Sequence, residues 1–257
     1  MKVAIVTGAS SGIGRATAVE LAKKGYAIAI TARSQDELEK TKKGCIDAGC
    51  RSDKVIVIPG DLTEKATAEK VVEETVSKLG GIDVLVNNAG FAIAGMLSGM
   101  PVEEFDRQMN LNVRSLHQLT QLALPHLLKS HGNIVNISSV ASEMTQPAAG
   151  FYCVSKAALD MYTKCMALEL APKGVRVNSI NPGLIDTAFG VNAGMCTEEN
   201  RDERMAPYIA AYPIGRAGLP EEIAHAVVFL ASTESSFTTG AILHVDGARR
   251  LGTRIGS

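Results

Sequence analysis

The chain has no tryptophan, and aromatic residues make up only 4% of its 257 positions. It also lacks an excess of charge, since 26 Lys and Arg face 27 Asp and Glu, a formal net charge of −1. Nucleic-acid binding requires clustered basic residues, and there is no basic stripe. No apolar run approaches the roughly 20 residues of a membrane span. A strand-like stretch begins at Val3, so we expect no signal peptide, no membrane contact and no nucleic-acid partner.

Cysteine is scarce and follows no ligand pattern. The five cysteines are Cys45, Cys50, Cys153, Cys165 and Cys196. Their odd number and the absence of CxxC spacing favour reduced thiols in a cytoplasmic protein. The five histidines are scattered, and we expect no metal site. With 46% hydrophobic residues the chain is long enough to bury one large core, so residues 1–257 are predicted to form a single domain.

Short apolar runs alternate with helical patterns along the whole chain. Seven runs rich in Val and Ile lie at 3–6, 27–30, 55–58, 84–86, 133–137, 176–180 and 241–245. The helical patterns lie at 15–25, 35–49, 68–81, 107–131, 148–170 and 220–232. Continuous apolar strands that alternate with helices indicate a doubly wound α/β fold, a parallel sheet covered on both faces. Gly25, Gly49 and Gly132 follow helical patterns, where a left-handed cap favours glycine.

A glycine-rich turn follows the first strand. The segment TGASSGIGRA places Gly8, Gly12 and Gly14 between that strand and the next helix. Glycines at such a turn let the backbone approach a pyrophosphate, which then lies against the N–H groups of the helix end. The position at the head of a strand–helix–strand unit predicts a dinucleotide site.

A Tyr-x-x-x-Lys pair lies in the helical pattern at 148–170. Four residues separate Tyr152 from Lys156, so their side chains share one helix face. An ammonium beside a phenol favours the phenolate, and we therefore expect the pKa of Tyr152 to lie below the usual value of about 10. Such a phenol can act as an acid or base near neutral pH.

These motifs together resemble the short-chain dehydrogenase/reductase family. The resemblance rests on the glycine turn, the Asn-Asn-Ala-Gly at 87–90, Ser139, the Tyr152–Lys156 pair and the Asn-Pro-Gly at 181–183. The motifs occur in the family's order and spacing from Val3 to the segment 238–248. The resemblance implies a Rossmann-type sheet of about seven strands, a nicotinamide cofactor, and hydride exchange between a carbonyl and an alcohol.

The resemblance also implies catalytic roles. Tyr152 is the expected general acid/base, and Lys156 is expected to lower the phenol's pKa and to bind the cofactor's ribose. Ser139 is expected to hold the substrate oxygen, with Ser138 as the competing assignment. Asn112 resembles the asparagine that kinks the central helix and holds a water for proton relay, with Asn110 as its rival.

The end of the second strand indicates which cofactor is used. An enzyme specific for NAD usually has a carboxylate there, but this chain has Ala32 followed by Arg33. Arginine attracts a 2′-phosphate, so we expect NADP(H), with Ser34 as a second phosphate ligand. We interpret Arg15, in the following helix, as a solvated surface charge.

The remaining cofactor contacts follow from the resemblance. Their positions lie in the glycine turn and after later strands: Gly8, Ser10, Ser11, Gly12, Ile13, Gly14, Asp61, Leu62, Asn88, Ala89, Gly90, Tyr152, Lys156, Pro182, Gly183, Ile185 and Thr187. Residues 188–213 resemble the variable lid over the substrate. Five methionines lie in segments that family members use around the substrate: Met96, Met100, Met144, Met195 and Met205.

We expect a carbonyl reductase or alcohol dehydrogenase that acts on a small molecule and assembles as a homotetramer or homodimer. One alternative is reduction of a 3-oxoacyl thioester on the same scaffold, which residues 213–232 and the closing VDGA segment also resemble. The other is a non-catalytic scaffold that binds NADP. The complete set of Ser139, Tyr152 and Lys156 favours an enzyme.

Overall fold

The seven runs rich in Val and Ile form one parallel sheet in the computed structural model, which describes residues 1–254. The strands are β1 (Val3–Thr7), β2 (Ala27–Ala32), β3 (Val55–Pro59), β4 (Val84–Asn87), β5 (Asn133–Ile137), β6 (Arg176–Pro182) and β7 (Ile242–Val245). Their order across the sheet is β3-β2-β1-β4-β5-β6-β7. Each neighbouring pair is parallel, which confirms the predicted doubly wound α/β class.

Helices cover both faces of the sheet. They are α1 (Gly12–Lys23), α2 (Gln35–Asp47), α3 (Lys65–Leu79), α4 (Val102–Met109), α5 (Leu116–Ser130), α6 (Gly150–Leu170), α7 (Phe189–Asn192), α8 (Arg201–Ala210) and α9 (Pro220–Ala231). One buried core joins α1, α2 and α9 to the sheet, and a second joins α3, α5 and α6 to the opposite face. No helix within residues 1–254 is long and apolar enough to cross a bilayer.

The strand order creates a crevice at one edge. β1 lies between β2 and β4, so the connections from β1 and from β3 leave the sheet in opposite directions. All carboxyl ends of parallel strands lie at the same edge, and ligands of such sheets bind where the order reverses. The glycine turn after β1 and the segment 87–90 after β4 both lie at this point.

Two predicted helix ends are confirmed and one is wrong. Gly25 and Gly49 have φ angles of 80° and 101°, the left-handed conformation that glycine adopts readily. After α5, however, His131 takes the left-handed position with a φ of 48°. Glycine is required at position 132 for lack of space, because a Cβ there would lie 2.3 Å from the carbonyl oxygen of Asp83.

The central helical pattern predicted at 107–131 is interrupted. Residues 110–115 form a π-helix between α4 and α5. The extra residue in such a turn shifts the face that the following side chains present, and these turns occur frequently at functional sites. Asn112 lies inside this segment, is 1% exposed and points toward α6.

Candidate active site

Lys156 is a buried cation at the carboxyl edge of the sheet. Its side chain lies on α6, is 4% exposed, and its Nζ donates a hydrogen bond of 2.8 Å to the carbonyl of Ile137 at the end of β5. Burial lowers the pKa of the ammonium to about 8, and the nearby carboxylate of Asp160 opposes this decrease. The lysine can therefore hold a positive charge at neutral pH inside the protein.

The phenol of Tyr152 lies one turn before this lysine, but its acidity differs from our expectation. Burial raises the pKa of Tyr152 to about 12, and the interaction with the Ser139 hydroxyl opposes the increase only in part. The Lys156 Nζ lies 5.6 Å from the centre of the phenol ring and donates its hydrogen bond to the carbonyl of Ile137. The prediction of a lowered pKa is therefore wrong, and the phenol is protonated at neutral pH.

Neighbouring serines after β5 have different partners. Ser139 precedes a short 3₁₀ turn, and its Oγ accepts a hydrogen bond of 3.1 Å from the N–H of Ala141. This arrangement fixes the hydroxyl beside Tyr152. Ser138 is 3% exposed and donates to the carbonyl of Lys156 at 3.2 Å, so its hydroxyl is used within the core.

Two asparagines of the π-helix also differ. The Asn112 Oδ1 accepts a hydrogen bond of 3.0 Å from the N–H of Phe91. Its Nδ2 donates to the carbonyl of Phe91 at 2.9 Å and to the hydroxyl of Ser155 on α6 at 3.0 Å. Asn110 accepts a bond from Arg114 on the exposed side. The structure thus connects Asn112, and not Asn110, with the helix that carries Tyr152 and Lys156.

A buried carboxylate that sequence reasoning missed supports this cluster. Asp160 lies one turn after Lys156, and its oxygens accept hydrogen bonds from Ser179 at 3.2 Å and Asn181 at 2.7 Å. Asn181 also donates to Ser142 in the turn that follows Ser139. The network joins α6, β6 and the Ser139 turn. The spacing of four residues from Lys156 was a signal that could have identified Asp160.

The glycine turn is shaped for a close ligand. Gly8 and Gly12 have φ angles of 62° and 51°, and a Cβ at Gly14 would lie 2.3 Å from the carbonyl oxygen of Gly8. Asn88 holds the turn by donating to the carbonyls of Thr7 at 2.8 Å and Gly8 at 3.2 Å. These contacts leave no room for larger side chains and keep the backbone exposed to a ligand.

The amino end of α1 is open toward this turn. Ser11 is its cap residue, but its side chain makes no capping bond, and the first turn of the helix has no acidic residue. Backbone N–H groups and the helix dipole there suit an anion such as a pyrophosphate. Ile13 packs its side chain into the core, while the carbonyl of Ser10 accepts a bond from Arg15.

Arg15 is an ion-pair partner and not the solvated charge that we predicted. Its guanidinium contacts the carboxylate of Glu37 at 2.6 Å and the hydroxyl of Thr41 at 3.1 Å, both on α2. Lys40 contacts the same carboxylate at 2.6 Å. The arginine thereby ties the glycine turn to α2. The ion pair forms at the surface because the carboxylate of Glu37 on α2 lies within reach of Arg15, which spacing along the chain did not reveal.

The end of β2 presents a free cation. Arg33 is exposed and has no hydrogen bond or ion pair with any residue of the described range 1–254. Ser34 caps α2, and its Oγ accepts from the N–H of Glu37 at 3.4 Å. Burial raises the pKa of Asp61, but the hydrogen bonds from Thr63 and the charge of Arg33 outweigh it and lower that pKa overall. Leu62 is buried in the core.

The segment after β4 connects the glycine turn with the lysine. Ala89 donates its N–H to the hydroxyl of Thr7 at 2.9 Å. A Cβ at Gly90 would lie 3.3 Å from the Asn112 Oδ1 and 3.5 Å from the Lys156 Nζ. A group bound along residues 88–90 would therefore extend from the glycine turn to the buried ammonium.

The far wall of the crevice follows β6. Pro182 is the last residue of β6, and Gly183 has no room for a side chain because Tyr212 would lie 2.9 Å from a Cβ there. Ile185 packs against Gly218, and the methyl of Thr187 lies 3.0 Å from the position of a Cβ on Gly12. The segment after β6 thus returns to the glycine turn.

The segment 188–213 lies over Tyr152. Its first helix, α7, places the ring of Phe189 5.7 Å from the ring of Tyr152. The guanidinium of Arg201 on α8 pairs with Asp186 and also donates to the carbonyl of Thr187 at 3.2 Å. Phe189 is a second residue that sequence reasoning missed, because an isolated phenylalanine in a variable segment carries no signal.

Comparisons with known proteins agree with this geometry. The family model described as Enoyl-(Acyl carrier protein) reductase matches residues 8–248. The chain is 36% identical to a 3-oxoacyl-(acyl-carrier-protein) reductase of Thermotoga maritima, over 96% of each chain. It is 38% identical to the 2-(R)-hydroxypropyl-CoM dehydrogenase of Xanthobacter autotrophicus, over 96% of this chain and 98% of that protein.

A solved structure extends the comparison to three dimensions. The crystal structure of a short-chain dehydrogenase/reductase of unknown function from Caenorhabditis elegans, with cofactor, superposes with a TM-score of 0.91 at 36% identity. The match covers 99% of this chain and 96% of that one. The sequence matches along nearly the whole chain and the shared fold lead to the same conclusion: this chain belongs to the short-chain dehydrogenase/reductase family and is an oxidoreductase.

Proposed function

We propose that the protein exchanges a hydride between NADP(H) and a carbonyl or secondary alcohol. The observation that carries this proposal is the position of Gly90, which lies beside the Lys156 Nζ and the Asn112 side chain. Gly90 comes two residues after Asn88, whose side chain holds the glycine turn by a hydrogen bond. A dinucleotide on that turn reaches the Tyr152–Lys156 pair. The residues fit such a cofactor because the turn is open and the amino end of α1 is uncapped.

Tyr152 supplies the proton in this proposal. Reduction of a carbonyl needs a hydride at carbon, which a bound nicotinamide cofactor supplies, and a proton at oxygen. A phenol whose pKa is raised to about 12 carries its proton at neutral pH and can donate it to the forming alkoxide. Ser139 holds the substrate oxygen with its hydroxyl, and in oxidation Tyr152 takes the proton back.

Lys156 and Asn112 support this proton transfer. The Lys156 ammonium binds the cofactor's ribose hydroxyls and stabilises charge that develops on the phenol oxygen. Asn112 holds the π-helix against α6 through its hydrogen bond to Ser155. In this position it can bind a water that relays protons to Lys156. Asp160 keeps the lysine's charge balanced inside the protein.

The cofactor is NADP(H) in this proposal. Ala32 offers no carboxylate to ribose hydroxyls, and Arg33 is a free guanidinium directly after β2. Glu37 in the first turn of α2 pairs with Arg15 and Lys40, and Asp36 in the same turn is exposed. We assign the remaining contacts as expected from the sequence: Gly8, Ser10, Ser11, Gly12, Ile13, Gly14, Ser34, Asp61, Leu62, Asn88, Ala89, Pro182, Gly183, Ile185 and Thr187.

The whole chain acts as one catalytic domain with residues 188–213 as its substrate lid. Free cysteines throughout the described range support a cytoplasmic location. Reduction of a 3-oxoacyl thioester is the second candidate, because a relative with that activity is 36% identical along nearly the entire chain. The meeting of Tyr152, Ser139 and Lys156 argues against a non-catalytic scaffold.

An exposed apolar stripe on α6 supports a homotetramer. Val154, Met161 and Leu168 recur every seven residues and are 45%, 58% and 82% exposed, which is unfavourable in water. We expect sedimentation equilibrium to give the mass of four chains, and Leu168→Glu to dissociate the assembly because a carboxylate cannot be buried unpaired. Lys43→Glu, an exposed charge change on α2, is the control. A monomeric wild type would contradict the proposal.

Tyr152→Phe should abolish turnover while cofactor binding persists. The substitution keeps the ring beside Phe189 and removes only the proton donor. General acid catalysis contributes about 10²- to 10⁴-fold, so kcat should fall by at least about 10²-fold. NADPH fluorescence titration should give a Kd close to that of wild type. A kcat near that of wild type would exclude Tyr152 as the acid.

Lys156→Met should change how stability depends on pH. Burial lowers the pKa of Lys156 from 10.5 to about 8, so between these values the unfolded chain holds a proton that the folded protein has released. Wild type therefore gains stability as pH rises through this window, by up to about 1.4 kcal/mol per pH unit, and the variant lacks this gain.

Urea unfolding at about pH 7, 9 and 10 measures the difference between the two proteins. Other groups that titrate in this range are common to both, so they cancel in the difference. The variant should also bind NADPH more weakly, because the ribose hydroxyls lose their cationic partner. A difference in unfolding free energy that stays constant with pH would show that the lysine keeps its ordinary pKa.

Cofactor preference should depend on Ala32 and Arg33. A charge-assisted contact between guanidinium and phosphate contributes about 1.5–3 kcal/mol, or roughly ten- to a hundredfold in affinity. Arg33→Ala should weaken NADPH binding by that factor and leave NADH nearly unchanged. Ala32→Asp should repel the 2′-phosphate and offer NADH a ribose acceptor. The Kd values of both cofactors decide the question, and tighter NADH binding by wild type would reverse the assignment.

A further inference from the structure

The turn that carries Ser139 spans residues 139–142, and we call it the Ser139 turn. Its start is fixed to the sheet, because the N–H of Ser138 donates to the backbone of β6 at 2.8 Å. Its end is joined to its start, since the N–H of Ser142 donates to the carbonyl of Ser139 at 3.0 Å. Between them, the N–H of Ala141 donates to the Ser139 hydroxyl at 3.1 Å. A displacement of Ser142 would therefore also move the groups that fix the Ser139 hydroxyl.

The end of the Ser139 turn is held by the side-chain amide of Asn181. This residue lies on β6 with 0% of its surface exposed, and its Nδ2 donates to the Ser142 hydroxyl at 2.9 Å. The same Nδ2 donates to the carboxylate of Asp160 at 2.7 Å, while the Asn181 Oδ1 accepts from the Ser179 hydroxyl at 2.9 Å. Both amide hydrogens are thus used, one toward the Ser139 turn and one toward α6.

The buried carboxylate of Asp160 decides which way this amide points. The oxygen and the nitrogen of an asparagine side chain are nearly equal in size, so packing alone does not select one orientation. An ionised carboxylate accepts hydrogen bonds and donates none, so it requires the nitrogen of Asn181 on its side. The reversed amide would place two oxygens against each other at a site that water does not reach, which is unfavourable.

We propose that Asn181 and Ser142 are positioning residues for the substrate oxygen, which act through Ser139, and that Asp160 fixes them in the orientation that this role requires. The inference rests on the proposed function and adds to it a chain of residues that sets the place of the serine hydroxyl. Asp160 lies one turn after Lys156 on α6. The helix that carries the buried ammonium therefore also anchors the turn that carries Ser139.

Two variants of nearly the same shape test the Ser142 hydroxyl. Ser142→Thr keeps the acceptor for Asn181, and Ser142→Val lacks it. With ethyl 3-oxobutanoate and NADPH, kcat should be about two- to tenfold lower for the valine variant than for the threonine variant, the effect of one hydrogen bond between neutral groups. The Kd of NADPH should be equal in both, because Ser142 acts on the substrate side. Equal kcat values would overturn the inference.

A second pair separates the hydrogen bonds of Asp160 from its charge. In Asp160→Asn the new amide can accept from Asn181 and donate to Ser179, whose hydroxyl still donates to the Asn181 Oδ1, so the chain persists. Asp160→Leu has a similar size and breaks the chain. Amide hydrogen exchange of residues 139–144 should be about two- to tenfold faster than wild type in Asp160→Leu and Ser142→Val, and unchanged in Asp160→Asn and Ser142→Thr. Equally fast exchange in both Asp160 variants would contradict the assigned role.

Thr163→Val is the control for a general loosening of α6. Thr163 is buried on this helix, and its hydroxyl accepts a hydrogen bond of 2.9 Å from Asn136 on β5. The variant should unfold at a lower urea concentration than wild type, yet keep the wild-type kcat and the wild-type exchange of residues 139–144. Changes as large as those of Ser142→Val would assign the effect to stability and contradict the inference.

Hydrogen exchange needs no substrate, so it separates this inference from the proposed function. If NADPH does not bind wild type, or if Tyr152→Phe turns over at the wild-type rate, the proposed function fails. If both of those tests give the expected result but residues 139–144 exchange at one rate in all variants, the inference alone fails.

Discussion

The buried ammonium of Lys156 is the constraint on which the rest of the site depends. A charge inside a protein needs hydrogen bonds and a counter-charge, and here the Ile137 carbonyl and the Asp160 carboxylate provide them. Asp160 is in turn held by Ser179 and Asn181 of β6. The hydrogen bonds around Lys156 and Asp160 also fix α6 against the sheet, so this helix and its buried charge are positioned together.

A second constraint acts through close backbone contacts. Gly14 lies against the carbonyl of Gly8, and Gly90 lies against Asn112 and Lys156, with no room for a Cβ in the first contact. These approaches join the glycine turn to the residues around Tyr152 and Lys156 through closely packed backbone. The spacing between the turn and the buried ammonium is therefore set by glycines, and larger residues there would increase it.

Sequence reasoning succeeded where local pattern decides the outcome. The seven strands follow from Val/Ile runs, and the positions of Gly8 and Gly12 follow from a turn that requires positive φ. It failed where a distant group decides. The pKa of Tyr152 depends on burial and on where the Lys156 Nζ points, and Arg15 turned toward Glu37, a residue on another helix. Gly132 was assigned to a helix cap although Asp83 explains it.

The sequence by itself determined the parallel sheet and the place of the glycine turn, and it named Ser139, Tyr152 and Lys156 as candidates, because periodicity and residue type along the chain carry that information. Only the tertiary structure separated Ser139 from Ser138 and Asn112 from Asn110, since the members of each pair are alike in sequence and differ in which neighbours they meet.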